Sequence, residues 1–162
     1  MKTAIYAGTF DPITMGHVDI VKRALKIFDK VIIGISTHFD KKALFSLEER
    51  KSMVVESIKG VKGIEVETFS GLLIDFAKKK QCNVLIKGLR AVSDFEMEFQ
   101  QALTNRKMNK DIETVFIMTS QENVFLSSSL VKEIARNGGK IDQFVPKVVA
   151  DNLQRVLKEG LL

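Results

Sequence analysis

The residues with the clearest chemical potential lie together near the start of the chain, in Gly8-Thr9-Phe10-Asp11-Pro12-Ile13-Thr14-Met15-Gly16-His17. This stretch follows an apolar run and opens an amphipathic one, so it reads as a strand-to-helix loop. Gly8 lets the backbone turn and come close to a ligand where a side chain would intrude. Gly16 does the same beside a helix start, where unpaired N–H groups and the helix dipole favour a phosphate. His17 then projects from the first turn, within reach of a phosphoryl oxygen. A lone histidine at a helix start is usually an ordinary hydrogen-bonded residue; the two glycines and the preceding strand give this one phosphate chemistry.

Two further clusters have the same character. Lys87-Gly88-Leu89-Arg90 places two cations around a glycine at the end of another apolar run, and Gly88 points to close backbone approach. Ser127-Ser128-Ser129-Leu130-Val131-Lys132 opens a later helix. One hydroxyl is enough to cap it. Three hydroxyls, the free N–H groups and Lys132 make a cradle for a polyphosphate. Lys41 and Lys42 follow the second strand-like run and, on residue type alone, read as surface lysines.

Short β-rich runs must position these clusters. They are Thr3–Ala7, Val31–Ser36, Ile64–Phe69, Val84–Lys87 and Thr114–Met118. Helical spacing separates them: Val18, Val21, Leu25 and Phe28 in one stretch, and Phe95, Phe99, Ala102 and Leu103 in another. Leu47–Ile58, Leu72–Lys79, Leu130–Arg136 and Val148–Leu157 also read as helices, with Ser46 and Glu49 forming a capping box before the first of these. This alternation predicts an α/β, Rossmann-like, doubly wound parallel sheet of five strands with helices on both faces. Ile64–Phe69 alternates apolar and polar residues and belongs at an edge, which gives the order 3-2-1-4-5. Ligands of such sheets bind beyond the strand C-termini where the order reverses, here between strands 1 and 4. The clusters therefore converge on one crevice. No linker, repeat or low-complexity tract interrupts residues 1–162, which read as a single domain.

The 162 residues are 45% hydrophobic and 28% charged, as in a folded soluble protein. No apolar run approaches the roughly 20 residues of a bilayer span, and one cysteine excludes an internal disulfide framework. A cytoplasmic protein without a membrane partner is the expectation. The net charge of +5 is compatible with polyanion binding. However, the basic residues are scattered, and Lys78-Lys79-Lys80 ends a helix whose dipole it complements. No nucleic-acid partner is expected.

Thr14-Met15-Gly16-His17 resembles the (H/T)xGH signature of the nucleotidyltransferase superfamily, and its place after a strand and Gly-Thr-Phe-Asp-Pro sharpens the match. From Ile5 to about Val145 the chain resembles the bacterial phosphopantetheine adenylyltransferases. The most specific stretches are Tyr6–His17, Phe45–Arg50, Gly88–Glu96 and Ser127–Glu133. The resemblance implies adenylyl transfer from ATP to 4'-phosphopantetheine, giving 3'-dephospho-coenzyme A and pyrophosphate. It implies catalytic roles for His17, Lys41 and Arg90. Thr9, Phe10, His17, Gly88, Leu89, Arg90 and Glu98 would bind ATP, together with Asn123, Val124, Phe125, Leu126, Ser127, Ser128 and Ser129. Thr9, Lys41, Leu73 and Lys87 would hold the pantetheine substrate. Magnesium (Mg2+) would arrive on the phosphates without a dedicated protein metal site, and the family forms homohexamers. Three residues depart from the family pattern: Ala7 for a proline, Lys87 for an arginine, and Asn123 for a residue that is often aromatic.

With a phosphate as acceptor the reaction needs no general base, only in-line alignment and charge neutralisation. His17 and Lys41 would serve the α-phosphate, and Arg90 and the serines the leaving pyrophosphate. The neighbouring reading is the same chemistry on nicotinamide mononucleotide or glycerol phosphate. The reading from another class is a nucleotide- or RNA-binding module, for which the chain lacks an aromatic-plus-basic stripe.

Overall fold

The computed structural model describes residues 1–37, 43–90 and 92–162, with the side chains of 92–94 excepted. Among the described residues the strands are β1 (Thr3–Gly8), β2 (Lys30–Ser36), β3 (Ile64–Phe69), β4 (Val84–Leu89) and β5 (Glu113–Met118). The helices are α1 (Met15–Ala24), α2 (Leu47–Ser57), α3 (Leu73–Lys79), α4 (Val92–Met108), α5 (Ser128–Arg136) and α6 (Lys147–Lys158). All strand pairs are parallel and the order is β3-β2-β1-β4-β5, as the alternation of the sequence predicts.

Strand alternation sorts each central strand into two faces. Ala4 and Tyr6 of β1 join Val31, Ile33 and Ile86 in the larger core, under α1, α2, α5 and α6. Ile5 joins Ile32 and Leu85 in the smaller core on the opposite face, under Ile74, Phe76 and Ala77 of α3. Edge strand β3 carries its glutamates outward. Glu65 pairs with Lys30 and Lys80, and Glu67 pairs with Lys80, so charged side chains line the open edge and discourage strand addition. The Ser46–Glu49 capping box of α2 is formed in both directions.

Helix α4 departs from a simple covering helix. Its apolar stripe has the helical period, yet Phe95, Phe99 and Leu103 are exposed by 41%, 43% and 53%. Periodicity identifies a face and not what covers it. Phe95 and Phe99 stack on each other, and Phe95 meets Phe116 of β5 edge-on, leaving the rest of the stripe at the surface.

The register opens the site. β1 pairs with β2 along its whole length, to Gly8↔Ile35. It pairs with β4 only at Ile5↔Leu85 and Tyr6↔Ile86, although both strands continue past those residues. At the point where the strand order reverses, β1 and β4 part, and a cleft opens between their C-terminal ends.

Candidate active site

The cleft has a volume of about 170 Å³ and lies between the ends of β1 and β4, with the N-terminus of α1 beside it. It brings together Thr9, Phe10, His17, Lys87, Gly88, Arg90, Glu98 and Leu126 of the residues expected there. Thr14 of the signature tetrapeptide also lines it, as do Tyr6 and Thr119, which were not singled out from sequence as site residues. Tyr6 and Thr119 lie at or near strand ends, where inward-facing residues read simply as core.

The β1–α1 loop is shaped differently from the glycine turn that the sequence suggests. Gly8 ends β1, and the left-handed turn falls on Phe10, at φ 48°. Gly8 is favoured for another reason: a Cβ there would lie 3.3 Å from the Phe10 ring, a tight contact to which the ring would have to yield. Phe10 is 2% exposed and fills the floor of the loop, with Tyr6 edge-on at 5.6 Å and His17 edge-on at 5.2 Å. Gly88 is likewise explained within the fold, because a Cβ there would come within 3.1 Å of Ile20 on α1. The close approach that its place between two cations implied is between β4 and α1.

Asp11 anchors the loop. Its carboxylate accepts from the N–H groups of Leu44 and Phe45, each at 3.0 Å, and from Lys132 Nζ at 2.8 Å. The Asp11–Pro12 peptide is cis. Lys132 is therefore committed to Asp11, and this corrects the expectation that it belongs to an open phosphate cradle. The serines divide similarly. Ser127 Oγ accepts from Leu130 N–H as the α5 cap, and Ser128 Oγ donates to the Pro12 carbonyl at 2.7 Å. Ser129 is exposed. A polar run at a helix start looks the same in sequence whether its hydroxyls face a ligand or the protein.

At α1, Thr14 is the N-cap. Its hydroxyl accepts from His17 N–H, and its own N–H donates to His17 Nδ1 at 3.0 Å. The histidine thus closes the capping box that a glutamate usually closes. Because Nδ1 is an acceptor, the ring proton of the neutral side chain sits on Nε2. Desolvation, reinforced by the nearby Arg90 charge, lowers the His17 pKa to about 4. His17 is therefore neutral near pH 7 and has one free function, an N–H donor. Met15 N–H donates to the Phe144 carbonyl. Among the described residues the Gly16 N–H has no protein acceptor, and Gly16 lines the cleft.

Arg90 Nη1 donates to the Leu126 carbonyl at 2.8 Å, which joins the end of β4 to the segment before α5. That segment is held from within as well. Asn123 Nδ2 donates to Ser120 Oγ at 2.8 Å, Leu126 N–H donates to the Asn123 carbonyl, and Ser120 N–H donates to Asp19 on α1. Asn123 thus has a polar role within this segment. Val124 and Phe125 are exposed and, with Leu89, Asn123 and the three serines, lie outside the cleft lining. Lys87 Nζ reaches Glu98 Oε2 at 2.7 Å and donates to Gln101 Oε1 at 2.9 Å, so its charge is partly balanced. Burial holds the Tyr6 phenol well above its usual range, hence neutral.

Leu73 lines a second groove, of about 340 Å³, with Met97, Gln100, Gln101, Thr104 and Asn105. Gln101 belongs to this groove and also accepts from Lys87, so the two spaces adjoin. Lys41 lies outside the described residues.

Residues 5–134 match the cytidylyltransferase-like family model. The chain is 52% identical to the phosphopantetheine adenylyltransferase of Desulfosudis oleivorans over 154 residues, covering 95% of this chain and 92% of that protein. It is 53% identical to that of Clostridium botulinum (strain Eklund 17B / Type B) over 156 residues, covering 96% and 98%. The chain belongs to the phosphopantetheine adenylyltransferase family. It is accordingly an enzyme of the nucleotidyltransferase class. The sheet and its helices also superpose on a bifunctional NMN adenylyltransferase/ADP ribose pyrophosphatase from Francisella tularensis, with a TM-score of 0.73 and 16% identity. That likeness covers 99% of this chain and 51% of the other, and it shows a shared fold. In the family context the cleft where β1 and β4 part is the place to look for adenylyl transfer.

Proposed function

We propose that this chain transfers the adenylyl group of ATP to 4'-phosphopantetheine, releasing pyrophosphate and forming 3'-dephospho-coenzyme A. The observation that carries this reading is the capped His17, which lines the cleft beside Arg90 with its Nδ1 held by the Thr14 N–H, so that Nε2–H is left for a ligand. An acceptor phosphate oxygen attacks the α-phosphorus, the bond to the bridging oxygen breaks, and pyrophosphate leaves with that electron pair. No proton need be removed from the acceptor. His17 Nε2–H and the Gly16 N–H donate to the non-bridging α-phosphate oxygens, whose charge grows in the transition state. A neutral donor suits this task because it neither repels Arg90 nor loses its proton near pH 7. Arg90 and the backbone N–H groups at the start of α5 take the pyrophosphate.

The acceptor is read from the adjoining groove. Leu73 and Met97 offer apolar contact, while Gln100, Gln101, Thr104 and Asn105 offer hydrogen bonds suited to the two amides of a pantetheine arm. Lys87 stands where groove and cleft adjoin, in position for the acceptor phosphate once it shares or exchanges Glu98. Lys41, on the segment after β2, completes the proposed charge set.

Magnesium enters this proposal on the substrate phosphates. Among the described residues no group of three or more His, Cys, Asp or Glu side chains is placed to hold a metal ion. The triphosphate and water provide the hard oxygen ligands that the ion prefers, and when bound it would offset phosphate charge. The exposed Phe95, Phe99 and Leu103 stripe supports a homohexamer, in which other copies would cover it. No helix among the described residues is long and apolar enough to cross a membrane, and the free thiol of Cys82 suits a reducing cytoplasm. The positive charge is assigned to phosphate substrates rather than to nucleic acid.

The test is pyrophosphate release with ATP and magnesium, comparing 4'-phosphopantetheine with nicotinamide mononucleotide. Release with pantetheine phosphate alone is expected. Release only with the mononucleotide would keep the chemistry and overturn the acceptor.

A further inference from the structure

Arg50 is 0% exposed, the largest fully buried side chain among the described residues and a cation. Burial of a charge is costly unless the site supplies acceptors for its N–H groups. Here three backbone carbonyls from three segments do so. Nη1 donates to Thr9 O at 2.9 Å and to Ser36 O at 3.0 Å, and Nε donates to Phe45 O at 3.2 Å. Arg50 lies in the first turns of α2, and its side chain runs back past the helix start, the direction helical side chains favour.

These carbonyls are not an arbitrary set. Thr9 is in the loop that lines the cleft. Ser36 and Phe45 flank, in sequence, the stretch that carries Lys41. The Phe45 peptide is held from both sides, its N–H by Asp11 and its carbonyl by Arg50. The fixed fork of a guanidinium addresses several acceptors in one plane, which a lysine ammonium cannot reproduce. A buried apolar side chain of similar volume would fill the space without orienting anything.

We infer that Arg50 is a positioning residue for the reaction: its guanidinium fixes the Thr9 loop, which lines the cleft, relative to the Ser36 and Phe45 backbones, so that the loop keeps its place against the reacting phosphates. The kinetic part of this inference rests on the adenylyl-transfer reading above, whereas the structural part does not. Near-attack geometry tolerates little displacement, so loosening the loop should act on turnover more than on ATP binding.

The experiment compares Arg50→Lys and Arg50→Met with the natural chain in three readouts: kcat for pyrophosphate release, the ATP dissociation constant by calorimetry, and hydrogen–deuterium exchange of the folded proteins. Expected is a fall in kcat of about tenfold or more in both variants, with ATP affinity changed by less than about threefold. Exchange should quicken at residues 7–12, 34–37 and 43–46 and stay the same in β3 and α6. Arg50→Lys should lose nearly as much turnover as Arg50→Met, because charge alone is not the requirement. A folded Arg50→Lys with kcat within about twofold of the natural chain would overturn the inference. So would exchange that rises evenly over the molecule, or an Arg50→Lys chain unable to fold, each of which would make the residue a general stabiliser. If the natural chain prefers another acceptor, the proposed substrate fails; the same comparison is then run with that acceptor. If it turns over none, the exchange pattern still decides whether Arg50 holds these segments.

Discussion

Helices α1 and α5 each follow a strand, both carry a hydroxyl N-cap, and both were expected to bind phosphate. They divide the work differently. At α1 the capping partner is the imidazole itself: Thr14 N–H holds His17 Nδ1, leaving Nε2–H for a ligand. At α5 the side chains go to the fold, since Ser127 caps the helix, Ser128 bonds the Pro12 carbonyl, and Lys132 bonds Asp11. What α5 can offer a phosphate is mainly backbone N–H. Polar residues at a helix start therefore become reactive groups only when the scaffold holds one of their functions and leaves another free.

The largest test of this contrast is His17→Ala. It should lower kcat by about 10²-fold or more while ATP affinity changes little, the behaviour of a donor used in the transition state. Steady-state kinetics with directly measured ATP binding would check it; near-full turnover would break the contrast at its root. Next in size is a pH effect on stability. The unfolded chain protonates His17 near pH 6.5, whereas the folded chain resists until about pH 4. The contribution of this group is thus fully present above pH 6.5 and declines as pH falls toward 4. The half-buried position of the ring limits the loss to roughly 2 kcal/mol. Urea melts at pH 7.5 and 4.5 should show this loss, and His17→Gln should reduce it.

Thr14→Val should act on both stability and turnover. Loss of the N-cap hydroxyl costs about 1 kcal/mol; that hydroxyl also lies 3.0 Å from His17 Nδ1, so a ring held only by the residue-14 backbone N–H should lose about tenfold in kcat. Thermal melts and single-turnover rates would show the two effects together. The smallest effect is expected from Ser127→Ala. It should cost about 1 kcal/mol as a lost cap while lowering kcat by no more than about threefold. If Ser127→Ala instead matched His17→Ala in turnover, the serine hydroxyl would be acting on the substrate and the contrast would fail.

The order of the sheet was legible because each piece of evidence was local. Continuous apolar runs marked the central strands, and the Ile64–Phe69 alternation marked the edge. The Ser46–Glu49 box was legible for the same reason. The cleft's main residues, Thr9, His17, Lys87 and Arg90, could be placed because strand ends at the switch point collect ligand groups. What remained hidden depends on partners distant in sequence. Asp11 is only one member of the first loop until Leu44, Phe45 and Lys132 arrive beside it. Arg50 reads as the polar side of an amphipathic helix, yet it is fully buried under three carbonyls. The turn at Phe10 was assigned to Gly8 because glycine usually supplies a positive φ.

The most direct measurement is the titration of the ring nitrogens of His17 by ¹⁵N NMR, made simple by a chain with only two histidines. The structure predicts a neutral ring at pH 7, with its proton on Nε2, Nδ1 as acceptor, and a protonation midpoint near 4. A proton on Nδ1, or a midpoint at or above about 6.5, would contradict an α1 terminus that meets its substrate through a neutral Nε2–H donor.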